Sequence, residues 1–313
     1  MDMIIQELGV IIYATLLFTP PLLFASLGSC FSEVSGVVNI GLEGMMTAGA
    51  FVGCTVSYFT GNPLIGFLAG GLAGAFFGFL HAIATVKLNA DQTISGTAIN
   101  MIAPGVSIMA AYAIYGSSDT IPLQKEQKIP ILFQGMFDTN TIWGGFLKNV
   151  FSTYATTYLV FILVFVVAFI FYKTRFGLRL RACGEHPLAC ETLGINVIKM
   201  RMFCVSISGF FAGLGGACMT MAITNQFRPI SIVGQGFIAI SAVIFGKFKP
   251  QGAMLGCLLF GFCTGLKVVF GSQFISVQII SMIPYIVTVI VLILFVGKSH
   301  VPKANGKPYI KTK

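Results

Sequence analysis

From Thr156 to Tyr172 the chain reads TTYLVFILVFVVAFIFY, seventeen residues without a charge, a glycine or a proline. At about 1.5 Å per helical residue such a run crosses most of a hydrocarbon layer roughly 30 Å thick. Comparable apolar runs, bounded by turn residues, lie near 8–29, 37–59, 63–86, 93–115, 154–172, 200–224, 235–247, 252–271 and 277–297. Between them no polar stretch is long enough for a soluble domain of about 100 residues. Only 9% of the residues are charged, against about 25% in an ordinary soluble domain. The expected fold is all-α, one polytopic transmembrane helix bundle over residues 1–313. The runs imply about 8–10 spans, some of them broken, and 235–247 is short enough to be a half-helix.

Charge placement orients the bundle. Lys173, Arg175, Arg179, Arg181, Lys199 and Arg201 separate the fifth and sixth runs, and Lys298, Lys303, Lys307, Lys311 and Lys313 follow the last. With Lys87, Lys247 and Lys249 they make 14 of the 19 basic residues. Cytoplasmic loops collect Lys and Arg, so these segments, with the tail 298–313, are expected in the cytoplasm. The 117–150 loop, with Asp119, Glu126 and Asp138, then falls outside. An odd span count also places Asp2 and Glu7 outside. The same bias explains the net charge of +9 without a nucleic-acid partner. The N-terminus begins acidic and lacks a small-residue cleavage site, so it reads as a first span rather than a signal peptide. The eight cysteines include no CxxC pair and read as small buried fillers, with no metal site.

The runs are of two kinds. Residues 156–172 suit a helix facing lipid. By contrast Gly66, Gly70, Gly74 and Gly78 recur every fourth residue, as do the pairs Gly209/Gly213, Gly252/Gly256 and Gly261/Gly265. Small residues at that interval let helix backbones approach where no hydrophobic effect drives association.

Polar residues inside the runs mark the functional candidates. In SGVVNIGLEGMM (35–46) glycines surround Asn39 and Glu43. An intramembrane acid costs about 3 kcal/mol, so Glu43, the one acid expected deep in a span, needs a partner or water. Asn39 and Glu43 either satisfy backbone freed at a helix break or face a pathway. In DQTISGTAIN (91–100), Asp91 and Gln92 signal a helix start. Thr93, Ser95, Thr97 and Asn100 then serve interhelical bonds or a cavity wall. A third Gly-punctuated stretch, 229–253, carries Gln235 and Ser241, and its resemblance in layout to 35–46 hints at two related halves. Between the fifth and sixth spans, Pro187 opens and Gly194 stops a short helix. Its Glu185, His186, Ala189 and Thr192 either face solvent or enter a groove on another protein. His186 has no second metal ligand at suitable spacing. No phosphate loop, HExxH or Ser–His–Asp set occurs among residues that include only His81, His186 and His300 as histidines. A transport role remains, without an ATPase site.

Five stretches carry a resemblance: FSEVSGVVNIGLEGMMTAGAF (31–51), DQTISGTAINMIAPG (91–105), GLRLRACGEHPLACETLGINV (177–197), GFFAGLGGACMT (209–220) and GFIAISAVIFGKFKPQGA (236–253). The chain resembles the membrane permeases of bacterial ABC importers in the ribose/branched-chain amino-acid-like family, in the subgroup handling nucleosides. The resemblance implies that the loop 177–199 couples to an ATPase through Gly184, Glu185, His186, Ala189, Glu191, Thr192 and Gly194. It further implies a heterodimer of two related permeases, of which this is the shorter. A cytoplasmic ATPase with two nucleotide-binding halves would hold ATP and Mg, leaving this chain without a bound cofactor, and an extracytoplasmic lipoprotein would bind the solute. The location implied is the bacterial inner membrane. Asn39, Glu43, Gln92, Thr93, Asn100 and Gln235 are pathway candidates read from the residues themselves. A simple-sugar importer is the alternative within transport, and an ion-coupled secondary transporter the alternative outside the class.

Overall fold

The computed structural model describes residues 2–137, 142–270, 282, 286, 289, 290 and 301–310. Among these the fold is a helix bundle without a sheet. Helix α1 spans Asp2–Ser35, α2 Leu42–Thr60, α3 Pro63–Ala82 and α4 Gln92–Tyr115. After α5 (Ile142–Phe151) and α6 (Ala155–Lys173) come the short α7 (Arg175–Glu185) and α8 (Pro187–Thr192). Then follow α9 (Val197–Cys218), α10 (Gln235–Phe245) and α11 (Pro250–Phe270). Both α3 and α9 continue into a π turn, Ile83–Lys87 and Met219–Thr224 respectively. Five of the described helices are long and apolar enough to cross a membrane, with shorter apolar helices at 229–245 and 250–266. The half-helix expected at 235–247 is α10. The expected span 277–297 lies outside the described residues apart from four positions, as do Asp138, Lys298, His300, Lys311 and Lys313.

The glycine stripes form the centre. Helix α9 packs against α1, α2 and α3. A Cβ at Gly78 would sit 2.9 Å from Gly209 Cα, and one at Gly70 would sit 2.7 Å from Gly49 O. Any side chain at Gly74 or Gly213 would strike the facing backbone. Helix α3 turns this stripe inward and leaves Leu64, Leu68, Leu72, Phe76 and Phe79 exposed. Helix α6 buries Val160, Val164, Val167 and Phe171 and exposes Ile162, Phe165 and Phe169, as its composition implied for a helix facing lipid.

Three features depart from the expectation. Helix α1 runs about a turn and a half beyond residue 29, and this brings Glu33 into the bundle, 5% exposed. Glu33 is therefore more buried than Glu43. The extension closes at Gly36, whose φ is +93°. There Gly36 N–H bonds Glu33 O (3.1 Å) and Val37 N–H bonds Ser32 O (3.1 Å), the pairing that caps a helix through a left-handed glycine. Second, the span expected from residue 37 starts only at Leu42, since 36–41 is not helical. Third, the 117–150 loop contains α5, an amphipathic helix too short for a strong periodic signal, with Trp143 exposed. That loop bonds the far end of α9, through Leu123 N–H to Asn225 O (2.8 Å). The α7–α8 connection joins the near end of α9, so the two lie on opposite sides of the bundle.

Candidate functional site

Six non-helical residues, Gly36–Gly41, join α1 to α2, and buried backbone of this kind must find partners. Three helices supply them. Gln92 Oε1 accepts from Val38 N–H (2.7 Å), and Asn100 Nδ2 donates to Ile40 O (2.9 Å) while its Oδ1 accepts from Gly44 N–H (2.8 Å). His81 Nε2 lies 3.2 Å from Val38 O, and its Nδ1 2.9 Å from Ser95 Oγ. A carbonyl only accepts, so Nε2 carries the proton and Nδ1 accepts from the serine. Asn39 is fully buried and donates to Ser208 Oγ on α9 (2.9 Å). A residue in place of Gly96 would crowd this loop, its Cβ 2.9 Å from Gly41 N. The break is a clamped element.

Glu43 answers a second break. It stands in the first turn of α2, half-buried, and its Oε2 accepts from Gly234 N–H (2.9 Å), with Gly236 packed close beside it. Gly234, at φ +82°, precedes α10 and has no side chain with which to cap it. One carboxylate thus lies at the positive ends of two helices, which offsets the cost of placing it there. The two Gly-punctuated stretches meet here, with Gln235 beside the cap. Of the pathway candidates, Asn39, Gln92 and Asn100 come together at the clamp and Glu43 adjoins them. Thr93 is exposed on the first turn of α4, where Asp91 caps it by accepting from Thr93 and Ile94 N–H (2.8 and 2.9 Å).

On the opposite side of α9 from the 117–131 loop, α7 and α8 form a projecting turn. Cys183, Cys190, Val197 and Tyr309 make its small core. Burial and the neighbouring Cys190 push the Cys183 thiol up to about 12. Pro187 opens α8, and Gly194, at φ +79°, ends the turn by donating to Glu191 O (2.9 Å). Glu185, His186, Ala189, Thr192 and Gly194 are exposed. Leu188 and Leu193 are 54% and 79% exposed, which puts two large apolar side chains on a polar projection. Gly184 and Glu191 face inward: a side chain at 184 would strike Val34 O, and Glu191 accepts from the Tyr309 hydroxyl. Burial, reinforced by Glu191, pushes the Tyr309 hydroxyl up to about 12. It therefore remains a donor throughout the neutral range. A groove of about 370 Å³ beside the turn is lined by residues that include Phe176, Arg179, Leu193, Lys199 and Phe203.

Sequence reasoning missed His81, Ser208 and Glu33. His81 shares a helix face with Gly74 and Gly78, a spacing that turns it into the bundle. Ser208 abuts Gly209 of the seam. For Glu33 the signal was weaker, because its partner Asn305 lies far along the chain. Among the described residues no group of three or more His, Cys, Asp or Glu could hold a metal ion.

A clamped helix break, a second break capped by the first, and a projecting turn at one end make a polytopic transport subunit. Residues 11–296 match the model of the family described as branched-chain amino acid transport system / permease component, and the chain belongs to that family. It is 44% identical to the guanosine ABC transporter permease protein NupQ of Bacillus subtilis, with 99% of each chain covered. It is 41% identical to the nucleoside ABC transporter permease protein NupC of Lactococcus lactis, again over 99% of each. Identity to the putative glucose ABC transporter permease protein TsgC13 of Haloferax volcanii is 31%, over 89% of each. No solved structure matches.

Proposed function

We propose that this chain is the permease subunit of an ATP-driven importer that carries nucleosides across the bacterial inner membrane. The observation that carries the reading is the α7–α8 turn, which exposes Leu188 and Leu193 on a projection held rigid from below. Such a turn fits the groove of an ATPase, where Glu185, His186, Ala189, Thr192 and Gly194 form the contact and Gly184 and Glu191 shape it. ATP and Mg belong to that ATPase. The solute arrives from an extracytoplasmic lipoprotein and passes between this chain and a second, related permease. Glu43, Gln235 and Thr93 border the path, while Asn39, Gln92 and Asn100 hold the break that shapes it. The charge distribution supports a cytoplasmic turn and C-terminus.

The nucleoside assignment draws its support from the substrates named for the two relatives at 44% and 41% identity. A simple sugar is the second reading, favoured by the glucose permease at 31%. Uptake of labelled guanosine by the complete assembly, challenged by unlabelled nucleosides or by ribose and glucose, separates the two. Competition by sugars alone would sink the nucleoside reading. Leu193→Asp should leave the chain inserted, release the ATPase and lower uptake at least about tenfold, within the range of coupling between sites. Retention of both ATPase and uptake would show that the turn does not dock it.

A further inference from the structure

The C-terminal stretch 301–310 ties together α1, α7, α8 and α9 at the end of the bundle that carries α8. Ala304 N–H donates to Gly184 O of α7 (2.9 Å), and Asn305 Nδ2 donates to Glu33 Oε2 at the end of α1 (2.6 Å). Arg201 Nη1 of α9 donates to Lys307 O (3.1 Å), its guanidinium 6.0 Å from the Tyr309 ring. The Tyr309 hydroxyl donates to Glu191 of α8. The Glu33 carboxylate in turn lies close to the backbone N–H of Asn39, inside the clamped break. A continuous chain of contacts therefore leads from α8 through Glu191, Tyr309, the tail backbone, Asn305 and Glu33 to Asn39. Tyr309 is 8% exposed and Glu33 5%, so α8 cannot move away alone without stranding buried polar groups.

The pairing within this cluster is incomplete. Arg201 Nε and Nη2 and Asn305 Oδ1 are buried with no hydrogen-bond partner among the described residues. Spare donors and a spare acceptor within one cluster give it more than one way to pair, which suits an element that shifts between arrangements. We propose that residues 302–309 form a strap that sets the position of the helix break according to the position of α8, with Tyr309 and Asn305 as its positioning residues. The strap rests on the reading of α8 as the ATPase-docking element.

The test uses the full assembly in lipid vesicles and reads guanosine imported per ATP hydrolysed, alongside the ATPase retained on purification. Tyr309→Phe keeps the ring over Arg201 but loses the bond to Glu191; Asn305→Ala loses the bond to Glu33. Each should retain the ATPase and its basal hydrolysis while import per ATP falls at least about fivefold, the lower end of coupling between sites. Combining Tyr309→Phe with Glu191→Leu should be no worse than the worse single change, because both break one link. Wild-type import per ATP in both single variants would overturn the strap. Loss of the ATPase in step with uptake would also overturn it, since the tail would then merely hold α8 in place. A wild-type assembly that retains no ATPase would refute the docking reading and the strap with it. That outcome differs from the other two because it is seen before any variant is made.

Discussion

The glycine seam and the clamped break occupy neighbouring turns of the same helices and meet opposite requirements. In the seam, Gly74 and Gly78 of α3 lie directly on Gly209 and Gly213 of α9, and contact is backbone on backbone. One turn beyond, His81 and Ser208 reach from the same two helices to the non-helical loop between α1 and α2. The seam gains cohesion from the absence of side chains, and the break gains its shape from their presence. Bilayer interiors impose both solutions: close packing replaces the hydrophobic effect between helices, and every freed N–H or C=O needs an internal partner. The seam serves as scaffold. The break, held by side-chain hydrogen bonds from three helices, is the part the proposed strap would act on.

If that division is right, the seam should tolerate least. Gly213→Leu drives a side chain into Gly70 and Gly74 backbone and should cost more than about 3 kcal/mol. Little chain should survive extraction as a monodisperse species in size-exclusion chromatography. Gly105→Ala, where a Cβ meets nothing within 4 Å, should behave as wild type in the same assay. Equal loss in both would erase the distinction between a seam glycine and an exposed one.

At the break the expected damage is intermediate. Asn100→Leu strands Ile40 O and Gly44 N–H and should cost about 1–3 kcal/mol for each group left unpaired. Thermal unfolding in detergent should register this, with uptake per inserted chain falling further than stability does. Asn100→Asp keeps the acceptor for Gly44 and loses the donor to Ile40, so it should fall between. Stability loss without any uptake defect would make the break plain scaffold, like the seam.

Glu43 should give the smallest effect. Glu43→Gln keeps an oxygen for Gly234 N–H and forfeits only the charge at two helix ends, about 0.3–1 kcal/mol each. Near-normal uptake is expected, whereas Glu43→Leu should lower the amount of inserted protein. Normal insertion with poor uptake in Glu43→Gln would assign the charge to the pathway itself and sharpen the comparison toward chemistry.

Helix positions were readable because each apolar run had to be about the thickness of a bilayer, and Asp91, Pro187 and Gly194 marked ends that local chemistry decides. The glycine stripes declared a packing face by their spacing alone. What stayed hidden depended on contacts between residues far apart in the chain. That α1 continues to Ser35 follows from Gly36 and the buried bond between Glu33 and Asn305, 272 residues apart. Glu43 invited either of two roles from its position in a broken span. Only the folding of α10 against α2 placed Gly234 where that carboxylate could cap it. Local periodicity and burial cost are written residue by residue along the chain, so the helix-bundle class, most of the apolar runs and the seam were legible there. The partners of a freed backbone group are chosen by whichever helices the bundle brings together, and that was decided by the tertiary structure.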